Sequence, residues 1–124
     1  MSFNEAHQAG GPVATNRFVY HKSNPMFREQ IDREGLVPQG RGPNWLSATP
    51  IQGKVIFATN SENPEWWFDH GYDDDIYRID TSLIGNAWYS DPNFPGSLLY
   101  VITHERVPRE AITLIHRGTG ESKE

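Results

Sequence analysis

Arg17-Phe18-Val19-Tyr20-His21-Lys22-Ser23-Asn24-Pro25-Met26-Phe27-Arg28-Glu29-Gln30-Ile31-Asp32-Arg33-Glu34-Gly35-Leu36 is the stretch on which the fold turns. Its first part, Arg17 to His21, is a short β-prone run that stops at the polar Lys22-Ser23-Asn24. Asn24-Pro25 then has the form of a helix N-cap followed by proline at the first helical position, where the missing N–H costs nothing. Phe27 and Ile31 stand one turn apart on one face, with Arg28, Glu29, Asp32 and Arg33 on the solvated side. Gly35 supplies the stop and Leu36 re-enters the core. The pattern predicts a strand feeding a helix of about three turns.

Outward from there, Gly53 to Thr59 reads as a buried strand, Ile76 to Asp80 as the next, and Asp80-Thr81-Ser82 as the turn out of it. Leu98 to His104 has too little alternation for one wet face and is predicted to lie inside the sheet. Pro108 opens a turn, and Ile112 to Ile115 closes the sheet. Val37 to Pro50 is rich in Pro and Gly, with Trp45-Leu46-Ser47 its only strand-like spot, and Asn86 to Gly96 is irregular. Trp66, Trp67 and Phe68 belong to a short helix through Pro64 and Glu65. Short strands outnumber helices and the helices fall in the first half, so the class is α+β and not a doubly wound α/β sheet.

Composition sets the outer limits. A chain of 124 residues fits one domain, divided here into a flexible N-terminal lead-in (1–16), the domain proper (17–117) and a frayed tail (118–124). With no cysteine there is neither a disulfide framework nor a thiolate metal site, which suits a cytoplasmic protein. No apolar run approaches the roughly 18–20 residues needed to span a bilayer, so no membrane partner is expected, and Met1 to Asn16 lacks the plan of a secretory signal. The net charge of −5 argues against tight, non-specific nucleic-acid binding, which depends on neutralising phosphates.

At Tyr20-His21-Lys22-Ser23-Asn24 with the following helix, Gly35-Leu36, Val55-Ile56-Phe57-Ala58-Thr59, Asp75 to Asp80 and Glu105 to Ile112, the chain resembles the ADP-ribosyltransferase-like superfamily, from about Phe18 to Ile115. No single piece is specific; their order carries the likeness. The resemblance implies two small, mainly antiparallel sheets facing each other across a cleft that holds NAD, with the helix after the first strand packed to one side. It implies an activity, transfer of ADP-ribose from NAD to a protein or nucleic-acid acceptor. It places His21 on the adenosine ribose, with Lys22 and Ser23 beside it. Ile56 falls where family members often carry a tyrosine that stacks on nicotinamide. Leu99 or Tyr100 falls where they carry the glutamate that stabilises positive charge on the departing ribose. Glu105, just past the end of that strand, is the carboxylate best placed to substitute, ahead of Glu110.

Trp45, Ser47, Thr49, Thr59 and Trp66 are further candidates for lining the NAD cleft. Trp45, in a Gly/Pro loop, is less easily explained as core, while the others have a plainer alternative. His21 can be a strand-end histidine bonded to backbone, Trp66-Trp67-Phe68 can be core, and Ser47, Thr49 and Thr59 can cap turns. Asp69-His70 and Asp73-Asp74-Asp75 do not match the spacing of a calcium loop and read as a solvated acidic loop, so no metal is expected. Gly35-Leu36-Val37-Pro38-Gln39-Gly40-Arg41 with Leu46-Ser47 also resembles the RNA 2′-phosphotransferases of the same superfamily, but Pro43 and Trp45 stand where that family has its histidines. The lack of the strand glutamate leaves open a non-enzymatic binding module on the same fold, directed at a basic protein partner.

Overall fold

The computed structural model describes residues 12–38, 55–61, 71–91 and 99–122. The opening strand, β1, runs Phe18–Ser23. Asn24 leaves it in an extended conformation, and its side chain accepts a hydrogen bond from the Met26 N–H at 2.9 Å. Pro25–Phe27 forms one 3-10 turn that continues into helix α1, Arg28–Glu34, so residues 25–34 make up the expected helical segment. The predicted apolar face is narrower than its spacing suggested. Ile31 is buried but Phe27 is 43% exposed, because the three-residue turn rotates Phe27 off the face that α-helical spacing would give it.

Gly35 ends the helix at φ +78°, donating its N–H to the Ile31 carbonyl. Leu36 then exchanges two backbone hydrogen bonds of 2.9 Å with Val107, and both side chains are buried. The approach is so close that a Cβ on Gly35 would strike the Val107 carbonyl and the Arg109 amide. The Arg106 guanidinium crosses to the Glu34 carbonyl and satisfies one of the last orphan acceptors of α1.

The remaining strands are β2 (Ile56–Thr59), β3 (Asp75–Asp80), β4 (Tyr89–Ser90), β5 (Tyr100–Thr103) and β6 (Ile112–His116). They form one antiparallel sheet in the order β4-β5-β2-β1-β3-β6. The protein is therefore α+β, and the expected pair of facing sheets is corrected to a single six-stranded one. The join at its middle is narrow. β1 and β3 stay in register from Phe18↔Asp80 to Ser23↔Asp75, and β2 and β5 from Ile56↔Thr103 to Thr59↔Tyr100. Between β1 and β2 only Tyr20↔Thr59 is in register. Two three-stranded halves thus share a sheet through one seam.

Val19, Ile56, Ala58, Tyr77, Ile79 and Val101 line the face under α1 and, with Ile31, Leu36, Trp88 and Val107, make the main core. Val55 and Ile102, backed by Phe57 and Tyr89, make a smaller cluster on the other face. β5 is buried at Val101, Ile102 and Thr103 in succession, as its unalternating sequence predicted for an interior strand. β4, two residues long, lies inside the stretch read as irregular.

Both ends of the described chain are tied down. Val13 donates its N–H to the Trp88 carbonyl and packs on the core, while Asn16 and Asn60 bond each other twice. Residues 12–16 are docked, and the rest of the expected lead-in lies outside the described residues. Of the expected tail, residues 118–122 are bonded back to the residues before β3 and at its start, and residues 123–124 lie outside the described residues. Gly118 N–H bonds Asp75 Oδ1, both Thr119 donors reach Asp73 Oδ2, and Tyr72 bridges Ser122. The acids read as a solvated loop are the acceptors that hold it. Arg28, expected in solvent, instead pairs with Asp75 through Nε at 2.8 Å and Nη2 at 2.7 Å.

Replacing Gly35 with Ala forces a side chain into backbone at a φ that only glycine adopts freely; a loss of about 3 kcal/mol in chemical denaturation is expected. A loss under about 1 kcal/mol would show that the Leu36–Val107 contact relaxes to make room.

Asp73 provides a second check. The hydrogen bond from His116 Nε2, then the Thr119 N–H, hold its carboxyl down at about 2. A carboxylate lowered in the folded state stabilises fully above its ordinary value of 3.8 and loses that contribution as pH falls through about 2. Thermal melts between pH 5 and pH 2 should show an acid limb that flattens in Asp73→Asn; identical slopes in both proteins would remove Asp73 from the explanation.

Candidate functional site

His21 lies on β1 one residue past the seam, directly opposite Tyr77 of β3. Paired residues of neighbouring strands share a face, so the imidazole is on the side of the main core and α1. Where β1 and β2 diverge, the ring spans the gap, and Nδ1 lies 2.5 Å from the Phe57 carbonyl oxygen. A carbonyl only accepts, so Nδ1 carries the proton. Desolvation lowers the pKa of His21 below its ordinary 6.5, with the Phe57 bond pulling weakly the other way. At neutral pH the ring is uncharged, and Nε2 holds a lone pair with no hydrogen-bond partner among the described residues. Chemically this is a fixed hydrogen-bond acceptor suited to a hydroxyl group. Its low basicity makes it a poor general base.

Tyr77 was not singled out from the sequence and Asp75 was read only as part of a solvated acidic loop, although the alternation in Asp75-Ile76-Tyr77 places both on one face. The Tyr77 hydroxyl lies 3.5 Å from Asp75 Oδ2. Burial, reinforced by the Asp75 charge, pushes its pKa up to about 12, so it remains a donor throughout the working range. Burial also pushes Asp75 up, but the Arg28 hydrogen bonds, the Gly118 N–H and the Arg28 charge outweigh it and hold the carboxyl below its usual value. His21 thus stands beside a set polar network that includes one buried anion.

The other candidates are distributed unevenly. Ser23 returns to the His21 face, opposite Asp75. Lys22 is on the reverse face opposite Ile76, and its charge acts on Asp74, whose carboxyl burial pushes up. Thr59 is 1% exposed; its hydroxyl donates to the Leu99 carbonyl at 2.9 Å and accepts from the Ser61 N–H. That hydroxyl closes the end of β2, in the manner of the turn-capping alternative. Trp45, Ser47, Thr49 and Trp66 lie outside the described residues.

Ile56 is buried on the His21 face. Leu99 and Tyr100 sit at the Thr59 end of the sheet with no carboxylate among them. Glu105 is exposed two residues beyond β5, and its backbone carbonyl accepts from Asn86 Nδ2 at 3.0 Å. Since Ile56 pairs with Thr103 and β2 runs against β1, Glu105 shares the sheet end toward which β1 runs from His21. It does not touch His21. His21 is level with Ala58 and so with Val101 of β5, two strand spacings or about 10 Å away, and Glu105 lies four residues further along the chain.

One concavity escaped the sequence reading altogether. A groove of about 710 Å³ runs between α1 and β6, with Tyr77 and Leu114 in its wall. Tyr77 pairs with both His21 and Leu114, so the groove adjoins the His21 row without including His21 itself.

Comparisons with protein families, with curated proteins and with solved structures give no match. Among the described residues no helix is long and apolar enough to cross a membrane.

The His21 environment has a direct signature. The unfolded chain takes up a proton near pH 6.5, whereas the folded ring does so only lower, so stability declines as pH falls from 6.5 toward the folded value. Imidazole NMR should show His21 as the Nδ1-protonated neutral tautomer at pH 7, titrating below 6.5. A His21 that titrates at or above 6.5 would contradict the Phe57-bonded, desolvated ring.

Proposed function

We propose that this protein is a cytoplasmic mono-ADP-ribosyltransferase-like enzyme that binds NAD beside His21 and transfers ADP-ribose to a protein or nucleic-acid acceptor. The observation that carries the reading is the neutral His21 ring, held by the Phe57 carbonyl across the seam with Nε2 left as an acceptor. A ribose hydroxyl is the kind of donor such an atom takes. The ordered likeness from Phe18 to Ile115 supports the same reading.

Cleavage of the bond from ribose to nicotinamide leaves positive charge on the sugar while the acceptor's nucleophile forms the new bond. In this chain Glu105 is the carboxylate assigned to stabilise that charge, from the sheet end toward which β1 runs. Ser23, on the His21 face, is assigned to the bound substrate as well. A second reading, an NAD-binding module that does not transfer, is favoured by one observation: Leu99 and Tyr100 occupy the strand position that carries the acid in the family this chain resembles.

Tryptophan fluorescence titrated with NAD should saturate in the native protein and weaken at least about tenfold in His21→Ala, the loss of one well-made hydrogen bond. Glu105→Gln should bind NAD normally and transfer about 10²–10³ times more slowly. No fluorescence response at millimolar NAD would end the proposal. Normal binding without turnover in the native protein would select the binding module.

A further inference from the structure

The groove between α1 and β6 has walls of opposite charge. Glu29 and Asp32 line it from the helix, and Arg109 and Arg117 from the two ends of β6. All four side chains are exposed, and no salt bridge joins the two walls. Arg28, the third guanidinium in the groove, is already committed to Asp75. The acids and the arginines of the two walls are therefore not paired with each other within one chain. Two exposed apolar side chains, Met26 and Leu114, line the groove as well. A patch of apolar groups rimmed by polar ones is the usual composition of a protein-binding surface.

The charges select the occupant. A purely acidic segment would meet Arg109 and Arg117 but oppose Glu29 and Asp32, and a purely basic one the reverse. A partner must present both signs in separate rows. This chain does so, and a twofold axis sets the acidic wall of one copy against the basic wall of the other twice over, which is the requirement of an isologous contact. β6 is also the long outer strand of the sheet, whereas the opposite edge, β4, has two residues. Its register slips against β3 between Ile76 and Tyr77, an irregularity that hinders simple strand addition and favours contact through side chains.

We propose that the α1–β6 groove is the surface through which two copies of this chain associate, with Met26 and Leu114 at the centre and Glu29 and Asp32 of each copy paired with the arginines of the other. The interface is independent of the NAD reading, because its measurement is mass and not ligand.

Sedimentation equilibrium should show the native chain moving from its monomer mass of 14.1 kDa toward twice that value between about 10 μM and 1 mM. Leu114→Lys should hold it at 14.1 kDa, while Leu83→Lys, an exposed position outside the groove, should leave association unchanged. The decisive pair is Arg109→Glu/Arg117→Glu and Glu29→Arg/Asp32→Arg. Each double variant makes its groove single-signed and should remain monomeric alone, yet a 1:1 mixture should recover the dimer mass. That recovery also shows that both variants are folded. A native chain that stays at 14.1 kDa throughout overturns the proposal, as does a dimer that persists in either double variant or a mixture that remains monomeric.

Discussion

The Asp75 carboxylate has no exposed surface, yet it is kept charged by donors from three separate parts of the chain. Arg28 comes from the first turn of α1, the Gly118 amide from beyond β6, and the Tyr77 hydroxyl from the same strand. Removing a carboxylate from water costs several kcal/mol, and a bidentate guanidinium with a backbone N–H is the arrangement that offsets it. The geometry then propagates. Arg28 also donates to the Gly118 carbonyl, so the one pair fixes the helix above β3 and draws the C-terminal segment back against the start of the sheet. Tyr77, held from the same carboxylate, stands directly opposite His21.

The seam between β1 and β2 is the second constraint, and it works through what it leaves undone. Full pairing would give the Phe57 carbonyl a backbone donor. With only Tyr20 and Thr59 in register, that carbonyl is open to the imidazole, and a side chain takes up what the ladder does not. The same bond sets the tautomer, and the surrounding desolvation keeps the ring neutral. Nε2 acquires its character as an acceptor from a backbone irregularity on the neighbouring strand.

The sheet treats its two edges differently. β4 is two residues long and offers little to an incoming strand, whereas β6 is longer, carries Leu114 and Ile115 in solvent, and is bordered by arginines. Short edges, bulges and charges are the devices that limit uncontrolled pairing. Here the irregular register of β6 and the charged walls beside it replace open backbone with a surface that discriminates by sign.

Much of the local structure was legible in the sequence because its causes are local. Asn24-Pro25 starts a helix by satisfying an N–H and fixing a φ, Gly35 ends it by accepting a positive φ, and the unalternating Tyr100 to Thr103 signals an interior strand. His21 could be picked out for its place at a strand end before polar residues. Pairing was not legible. That Tyr20 meets Thr59 while His21 has no registered partner on β2 depends on where segments distant in sequence diverge. Thr59 looked available until the fold closed its hydroxyl on Leu99, and Asp73 and Asp75 looked solvated until the tail arrived. Capping, helix length and the α+β class were determined by the sequence alone, since each rests on contacts within a few residues. The single sheet, the neutral His21, the buried Arg28–Asp75 pair and the groove beside β6 were decided only by tertiary structure, because each depends on which distant groups share a desolvated space.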